Sequence, residues 1–224
     1  MARQVHPRAH NAWAGLADNG EDGRVRIAII GAGNVGGGLG RALVGVGHEV
    51  VFGVRDPDST KTLAALAEVG DAEATTPSEA VNGADVIVFA LRPVAVPATV
   101  RDLPPLDGRI VIDAMNRFDG DPGRSMTDEL TELLPGARLA KAFNTIGFEN
   151  LATARDRQVP AAMFVAGDDP DAKRVAMLLV EEIGFRAEDA GGRANAKPLE
   201  EMVKVWLALS QAHGRTVGFA ISEG

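Results

Sequence analysis

The chain has 224 residues, a formal net charge of −8, 46% hydrophobic and 24% charged residues, and neither cysteine nor tyrosine. That length suits one large domain with at most a small appendage, and the apolar fraction excludes global disorder. The missing residue types exclude a thiol nucleophile, a thiolate zinc site and a Tyr/Lys acid–base pair, while the acidic balance without a Lys/Arg cluster excludes nucleic acid as a partner.

Residues 1–23 are polar, lack periodicity and contain Pro7, Gly15, Gly20 and Gly23; they are expected to form a flexible tail. The tail has no apolar signal core, and no run approaches the roughly 18–20 apolar residues of a membrane span. A cytoplasmic protein with no membrane partner is therefore expected. None of His6, His10, His48 and His213 has a partner at metal-ligand spacing, so no metal site is expected.

Folded structure begins with Val25–Ile30 (VRIAII), a β-branched run typical of a buried parallel strand. It meets Gly31-Ala32-Gly33-Asn34-Val35-Gly36, after which Leu39, Leu43, Val44 and Val46 recur at helical spacing until Gly47. Glu49–Val54 is the second strand. Residues 58–69 read as a helix with Leu63, Leu66 and Ala67 on its apolar face, and a short strand lies near residues 72–75. Thr76-Pro77-Ser78-Glu79 opens a helix, Asp85–Leu91 is a strand, Pro93 and Pro97 delimit a short helix or turn, and Arg109–Met115 is the fifth strand. Leu139–Phe143, Ala161–Ala166 and Phe185–Asp189 read as strands, and Pro170–Ile183 as a helix with Val175, Leu178, Leu179 and Ile183 inward. Pro198 opens a last helix expected to reach about Ala220, whose stripe Met202, Val205, Trp206, Leu209 and His213 reads as core or as a dimer face.

This alternation specifies an α/β fold, a doubly wound (Rossmann) mostly parallel sheet with a short C-terminal helical extension. A topological shift near residue 140 separates a dinucleotide-binding part, residues 24–140, from a smaller part, residues 141–224, that completes the sheet and the substrate cleft.

The glycine turn sits where a dinucleotide fingerprint should, between a strand and a helix, with a second strand ending about 20 residues on. Gly31 permits the tight turn, Gly33 the approach of a pyrophosphate, and Gly36 the packing of helix on strand, while the helix N-terminus offers free N–H groups to phosphates. Gly37, Gly38 and Gly40 follow, each costing about 0.8–1 kcal/mol relative to Ala. Either general glycine richness or the close approach of a ligand or neighbouring strand accounts for them. At the end of the second strand Val54 occupies the place where NAD enzymes carry an acid, and Arg55 follows, suited to a 2′-phosphate. NADP(H) is therefore favoured. A one-residue slip would make Asp56 an NAD-type acid, and Lys61 reads as a second phosphate contact or as a solvated helix residue.

The run IAIIGAGNVGGGLGRALVGVGHEVVFGVRDP, with DVIVFALRP, GRIVIDAMNRF and KAFNTIGFENL, resembles the NADPH-dependent coenzyme F-420 reductase family over about residues 25–220. That family includes enzymes passing hydride between NADPH and a deazaflavin, and it is related to the cytosolic domain of the STEAP metalloreductases. The resemblance implies that Gly33, Asn34 and Val35 form the pyrophosphate loop and that Val54 and Arg55 match a Ser-Arg pair at the 2′-phosphate, the serine being lost here. It places Ala90, Leu91 and Arg92 beside the nicotinamide ribose, with Ala114, Asn116 and Ala142 to Asn144 at the next two strand ends. Asn144 also joins Asn116, Thr145 and Ile146 on the substrate side. Asn144 and Thr145 either bond the carboxamide or acceptor ring or simply end the strand. Lys141 adjoins a strand and reads as structural.

Many family members carry Pro-Trp after the fourth strand, whereas this chain has Arg92-Pro93 with no aromatic, and Arg92 faces either substrate or solvent. The implied chemistry is transfer of hydride to coenzyme F-420 or a flavin, the two rings face to face, with rate from proximity and no side-chain acid or base. A homodimer is implied on the same grounds. Two other readings are an NADP(H)-sensing protein without turnover and a reductase of another small substrate, such as an imine or ketone. Arg55→Ala is expected to raise KM for NADPH roughly tenfold or more while leaving that for NADH nearly unchanged; equal changes in initial-rate measurements would remove the 2′-phosphate from Arg55.

Overall fold

The computed structural model describes Trp13, residues 23–118 and residues 123–222. Apart from Trp13 and Gly23, the segment expected to be a tail lies outside the described residues. Among those described, β1 (Arg26–Ile30), β2 (Glu49–Gly53), β3 (Ala72–Thr75), β4 (Val86–Phe89), β5 (Ile110–Asp113) and β6 (Arg138–Lys141) pair in parallel in the order β3-β2-β1-β4-β5-β6. The crossovers carry α1 (Asn34–Gly45), α2 (Thr60–Val69), α3 (Pro77–Val81), α4 (Val96–Arg101) and α5 (Met126–Leu133).

Strand side chains alternate, so one apolar run feeds two cores. Ile27 and Ile29 face a core shared with Leu39 and Leu43 of α1, whereas Ala28 and Ile30 face one shared with α3, α4 and α5. Full burial of each such Ile or Leu is worth roughly 1.5–3 kcal/mol. Both faces of the sheet are covered, as an all-parallel sheet requires.

The chain beyond β6 departs from a single sheet. β7 (Ala162–Val165) and β8 (Arg186–Asp189) form a separate parallel pair, joined through α6 (Pro170–Glu182). An antiparallel bridge between Lys141 and Ala166 hooks this pair onto β6. A Cβ on Gly167 would lie 2.8 Å from the Leu139 carbonyl, so that crossing needs a glycine.

Several local expectations require correction. α5 was not anticipated, although Ser125 and Asp128 spell its capping box. The last helix, α7 (Ala196–His213), stops well before Ala220, because Gly214 takes φ 84° and sends the chain back along β7, where Ala162 N–H donates to the Phe219 carbonyl. Its buried face is Leu199, Glu200, Val203, Trp206 and Ser210, with Val205 54% exposed and His213 exposed. The expected stripe was one residue out of phase because the true inner face carries buried polar groups. α2 turns Thr62, Leu66 and Val69 inward, leaving Leu63 exposed, and Leu178 of α6 is only half-buried.

At the amino edge of the sheet, Trp13 is buried edge-on against His48, ring centroids 5.7 Å apart, and its Nε1–H donates to Glu182. Val25 N–H donates to His48 Nδ1, so the ring proton sits on Nε2, which faces Glu182 at 2.8 Å.

Asp128 closes the α5 box through Ser125 and pairs with Arg193. Partial burial opposes its ionised form, but the Ser125 hydrogen bonds and the Arg193 and Arg124 charges outweigh it and hold the carboxyl below its ordinary range. The stability this contributes is fully present above the unfolded-chain value of 3.8 and is lost as pH falls through the lower folded value. In urea unfolding, the advantage of wild type over Asp128→Asn should therefore hold constant from neutrality down to about pH 5 and shrink below about pH 4.

Candidate functional site

β1 ends and the chain reverses at Gly31, which takes φ 110°. A Cβ there would sit 2.7 Å from the Ala90 carbonyl, so the turn lies directly against the exit of β4. A Cβ on Gly36 would strike the Gly31 carbonyl, which accounts for the third fingerprint glycine. Gly33, extended at φ −79° and ψ −168°, precedes α1 without any side-chain cap, and the first turn holds no acidic residue. Nothing lies within 4 Å of where its Cβ would be. Gly33 and Asn34 are exposed and Val35 half-buried. The first N–H groups of α1 thus face open space with the positive end of the helix behind them, a site suited to an anion.

The further glycines divide by cause. Gly38 would meet the Phe148 carbonyl at 2.9 Å, and Gly40 would strike the Phe52 ring of β2, so both answer close neighbours; nothing lies within 4 Å of a Cβ on Gly37.

The register Ile30↔Gly53 ends β2 at Gly53, so Val54 is the first residue beyond the strand, its N–H on the Thr75 carbonyl. Asp56 lies two residues further, its carbonyl accepting from the Ser59 N–H and the Thr62 hydroxyl within the turn that starts α2. Arg55 and Lys61 are exposed and make no hydrogen bond or ion pair among the described residues.

Three strand exits lie side by side beyond β1. Ala90 and Leu91 are half-buried and Arg92 exposed after β4; Ala114 N–H donates to the Phe89 carbonyl and Ala142 N–H to that of Asp113. Asn116 and Asn144 close the mouth between β5 and β6. Asn116 Nδ2 donates to the Asn144 carbonyl, and Asn144 Nδ2 donates to Asn116 Oδ1 at 3.0 Å and the Leu199 carbonyl at 2.9 Å. Asn144 Oδ1 is buried without a hydrogen-bond partner. Two residues expected on the substrate side turn inward: Thr145 is 1% exposed with its hydroxyl on Met163 Sδ at 3.8 Å, and Ile146 is 7% exposed. Phe143, between Ala142 and Asn144, holds φ 61°, a strained conformation worth of order 1–3 kcal/mol that surrounding packing must maintain.

Lys141 lies beneath this mouth, fully buried. Its ammonium donates to Asp113 at 2.9 Å, to Glu200 of α7 at 2.8 Å, and to the Met115 carbonyl. Asp113 also accepts from the Thr127 hydroxyl and Met115 N–H, and Glu200 from the N–H groups of Met126 and Arg117. Lys141 was legible as a structural residue; its two carboxylates, far apart in sequence, were not.

The family model for coenzyme F420-dependent NADP oxidoreductases matches residues 26–117. The chain is 30% identical over 179 residues to the metalloreductase STEAP3 of Rattus norvegicus, covering 78% of this chain and 36% of that protein. It thus spans about a third of the length of that curated relative. A solved structure from Arthrobacter sp. FB24, described as a candidate F420-dependent NADP reductase, superposes with a TM-score of 0.79 at 26% identity, covering 89% of this chain and 100% of the other. An imine reductase from Pseudomonas sp. shares the fold at a TM-score of 0.66 and 16% identity, over 84% of this chain and 63% of that one. No helix among the described residues is long and apolar enough to cross a membrane.

Lys141→Met would leave two buried carboxylates without their cation, and is expected to cost about 3–5 kcal/mol in urea unfolding. A loss below about 1 kcal/mol would show that Asp113 and Glu200 are held by their other donors alone.

Proposed function

From the match of residues 26–117 to the family model for coenzyme F420-dependent NADP oxidoreductases, we propose that the chain transfers hydride between NADPH and a deazaflavin, coenzyme F-420, or a flavin. The observation that carries the reading is the open, uncapped start of α1 with two unpaired cations, Arg55 and Lys61, beyond the neighbouring strand.

The residues present fit a phosphorylated dinucleotide. Gly33, with nothing within 4 Å of where its Cβ would be, leaves room for a pyrophosphate, Gly31 and Gly36 let the turn close on its own backbone, and the N–H groups of Asn34 and Val35 lie at the helix start that would receive the ligand. Arg55 would pair with the 2′-phosphate, with Lys61 adding charge from α2 and Val54 marking where an NAD-type acid is missing. The nucleotide would then run past the exits of β4, β5 and β6, where Ala90 and Leu91 are half-buried and Ala114 and Ala142 lie buried behind them. When bound, a reduced nicotinamide supplies the hydride.

The protein's part is binding and orientation. Asn144 is pinned through its amide N–H groups, so its unpaired Oδ1 is suited to accept from an N–H of the carboxamide or of the acceptor ring. The inward turn of Thr145 and Ile146 limits them to shaping the wall behind that contact. A homodimer, in which α7 contributes to the contact, belongs to the same proposal.

Mixing the protein with NADPH and following reduction of coenzyme F-420 beside FMN, FAD and a no-acceptor control tests the reading. Hydride transfer to the deazaflavin or to a flavin is expected. Tight NADPH binding with no transfer to any of them would instead indicate a sensor or a different small substrate.

A further inference from the structure

Among the described residues, the cations of this chain are almost all engaged. With 31 Asp and Glu against 23 Lys and Arg, arginines across the surface are taken up by acids: Arg117 by Glu129, Arg193 by Asp128, Arg215 by Glu149. Among the described lysines and arginines, only the side chains of Arg55, Lys61, Arg92 and Arg101 make no hydrogen bond or ion pair. Arg101 ends α4, where the carbonyl end of a helix favours a cation. Arg55 and Lys61 stand beyond β2 and belong to the nucleotide reading above. Arg92, which the family resemblance sets beside the nicotinamide ribose, stands apart from both.

Arg92 is exposed on the segment leaving β4, which lies on the opposite side of β1 from β2. Two strand spacings, about 10 Å, therefore separate its strand from the one that releases Arg55. The backbone holds the segment: Ala95 N–H bonds back to the Arg92 carbonyl, and Ala90 carbonyl packs on Gly31. Two large apolar side chains are exposed on the same edge. Val94 is 79% exposed on the Arg92 segment, and Phe118 is 63% exposed on the segment leaving β5, the direct neighbour of β4. An exposed guanidinium without a partner among the described residues, on a strand exit whose own segment and neighbouring exit each expose an apolar side chain, is the surface expected of a site for a ligand with an apolar body and an anionic group.

We infer that Arg92 selects the hydride acceptor: it pairs with a phosphate or carboxylate on a flat ring compound whose body covers Val94 and Phe118. This rests on the oxidoreductase reading and deepens it by naming the acceptor's charge. A neutral acceptor would leave the guanidinium without its partner and bind more weakly.

FMN and riboflavin share one ring system and differ by a phosphate. Their binding to the full chain saturated with NADP⁺ is measured by quenching of flavin fluorescence, for wild type and Arg92→Gln. Wild type is expected to hold FMN at least tenfold more tightly than riboflavin. Arg92→Gln should bring FMN to the riboflavin value, and a parallel titration without flavin reads its NADP⁺ affinity. Phe118→Ala should weaken both flavins alike. Equal affinity for the two flavins in wild type, or binding of neither, overturns the assignment. A loss of NADP⁺ affinity in Arg92→Gln also overturns it, by placing the guanidinium on the nucleotide. The readout needs no turnover, so absence of hydride transfer with the FMN preference intact would strike the proposed reaction and leave Arg92 standing.

Discussion

One ammonium between two carboxylates holds the working edge of this molecule together. Lys141 ends the outermost strand of the six-stranded sheet, Asp113 ends its neighbour, and Glu200 comes from the last helix. All three are buried, where ions are tolerated only with complete pairing and hydrogen bonding. The set carries two negative charges against one positive, and its remaining acceptors are met by the Thr127 hydroxyl and backbone N–H groups, including that of Met126 at the positive end of α5. Glu200 thereby ties α7 to the strand exits. Leu199, one residue earlier, offers the carbonyl that pins Asn144. The mouth between β5 and β6 is thus positioned by a polar node rather than by apolar packing alone.

The two edges of the sheet are built for different ends. At the amino edge, Trp13, His48, Glu182 and the Val25 N–H satisfy one another in a closed, buried contact. At the carboxyl edge, the α1 start is uncapped, Asn144 Oδ1 is unpaired, and Arg55, Lys61 and Arg92 are without partners among the described residues. Ser59, Thr76, Ser125 and Asp169 accept N–H bonds at the starts of α2, α3, α5 and α6, whereas α1, α4 and α7 begin without a side-chain cap. What sets the α1 start apart from the other two is its exposed Gly33 and Asn34 at the carboxyl ends of the strands, where doubly wound sheets bind ligands.

Much of this was legible from residue order. Strand runs such as VRIAII and DVIVFAL are hydrophobic because both faces are covered, and that local property can be read without knowing the neighbours. The glycine turn was equally plain, since a turn of that tightness leaves few residues to choose from. Helix faces were read less well. α2 and α7 bury Thr62, Glu200 and Ser210 while exposing Leu63 and Val205, so hydrophobic periodicity pointed to the wrong stripe. The family resemblance put Thr145 and Ile146 on the substrate side, yet both are buried, just beyond Phe143 with its positive φ.

The sequence by itself determined the fold class, the glycine turn at Gly31–Gly36 and the basic residue after the second strand, because each follows from the spacing of a few adjacent residues. Tertiary structure alone decided three things. It separated β7 and β8 from the main sheet by hooking them onto Lys141, it gave Lys141 two carboxylates from 28 and 59 residues away, and it showed which cations lack a partner. Pairing of charges is a property of distances in space, and nothing in the order of residues reports whether an arginine's carboxylate is within reach.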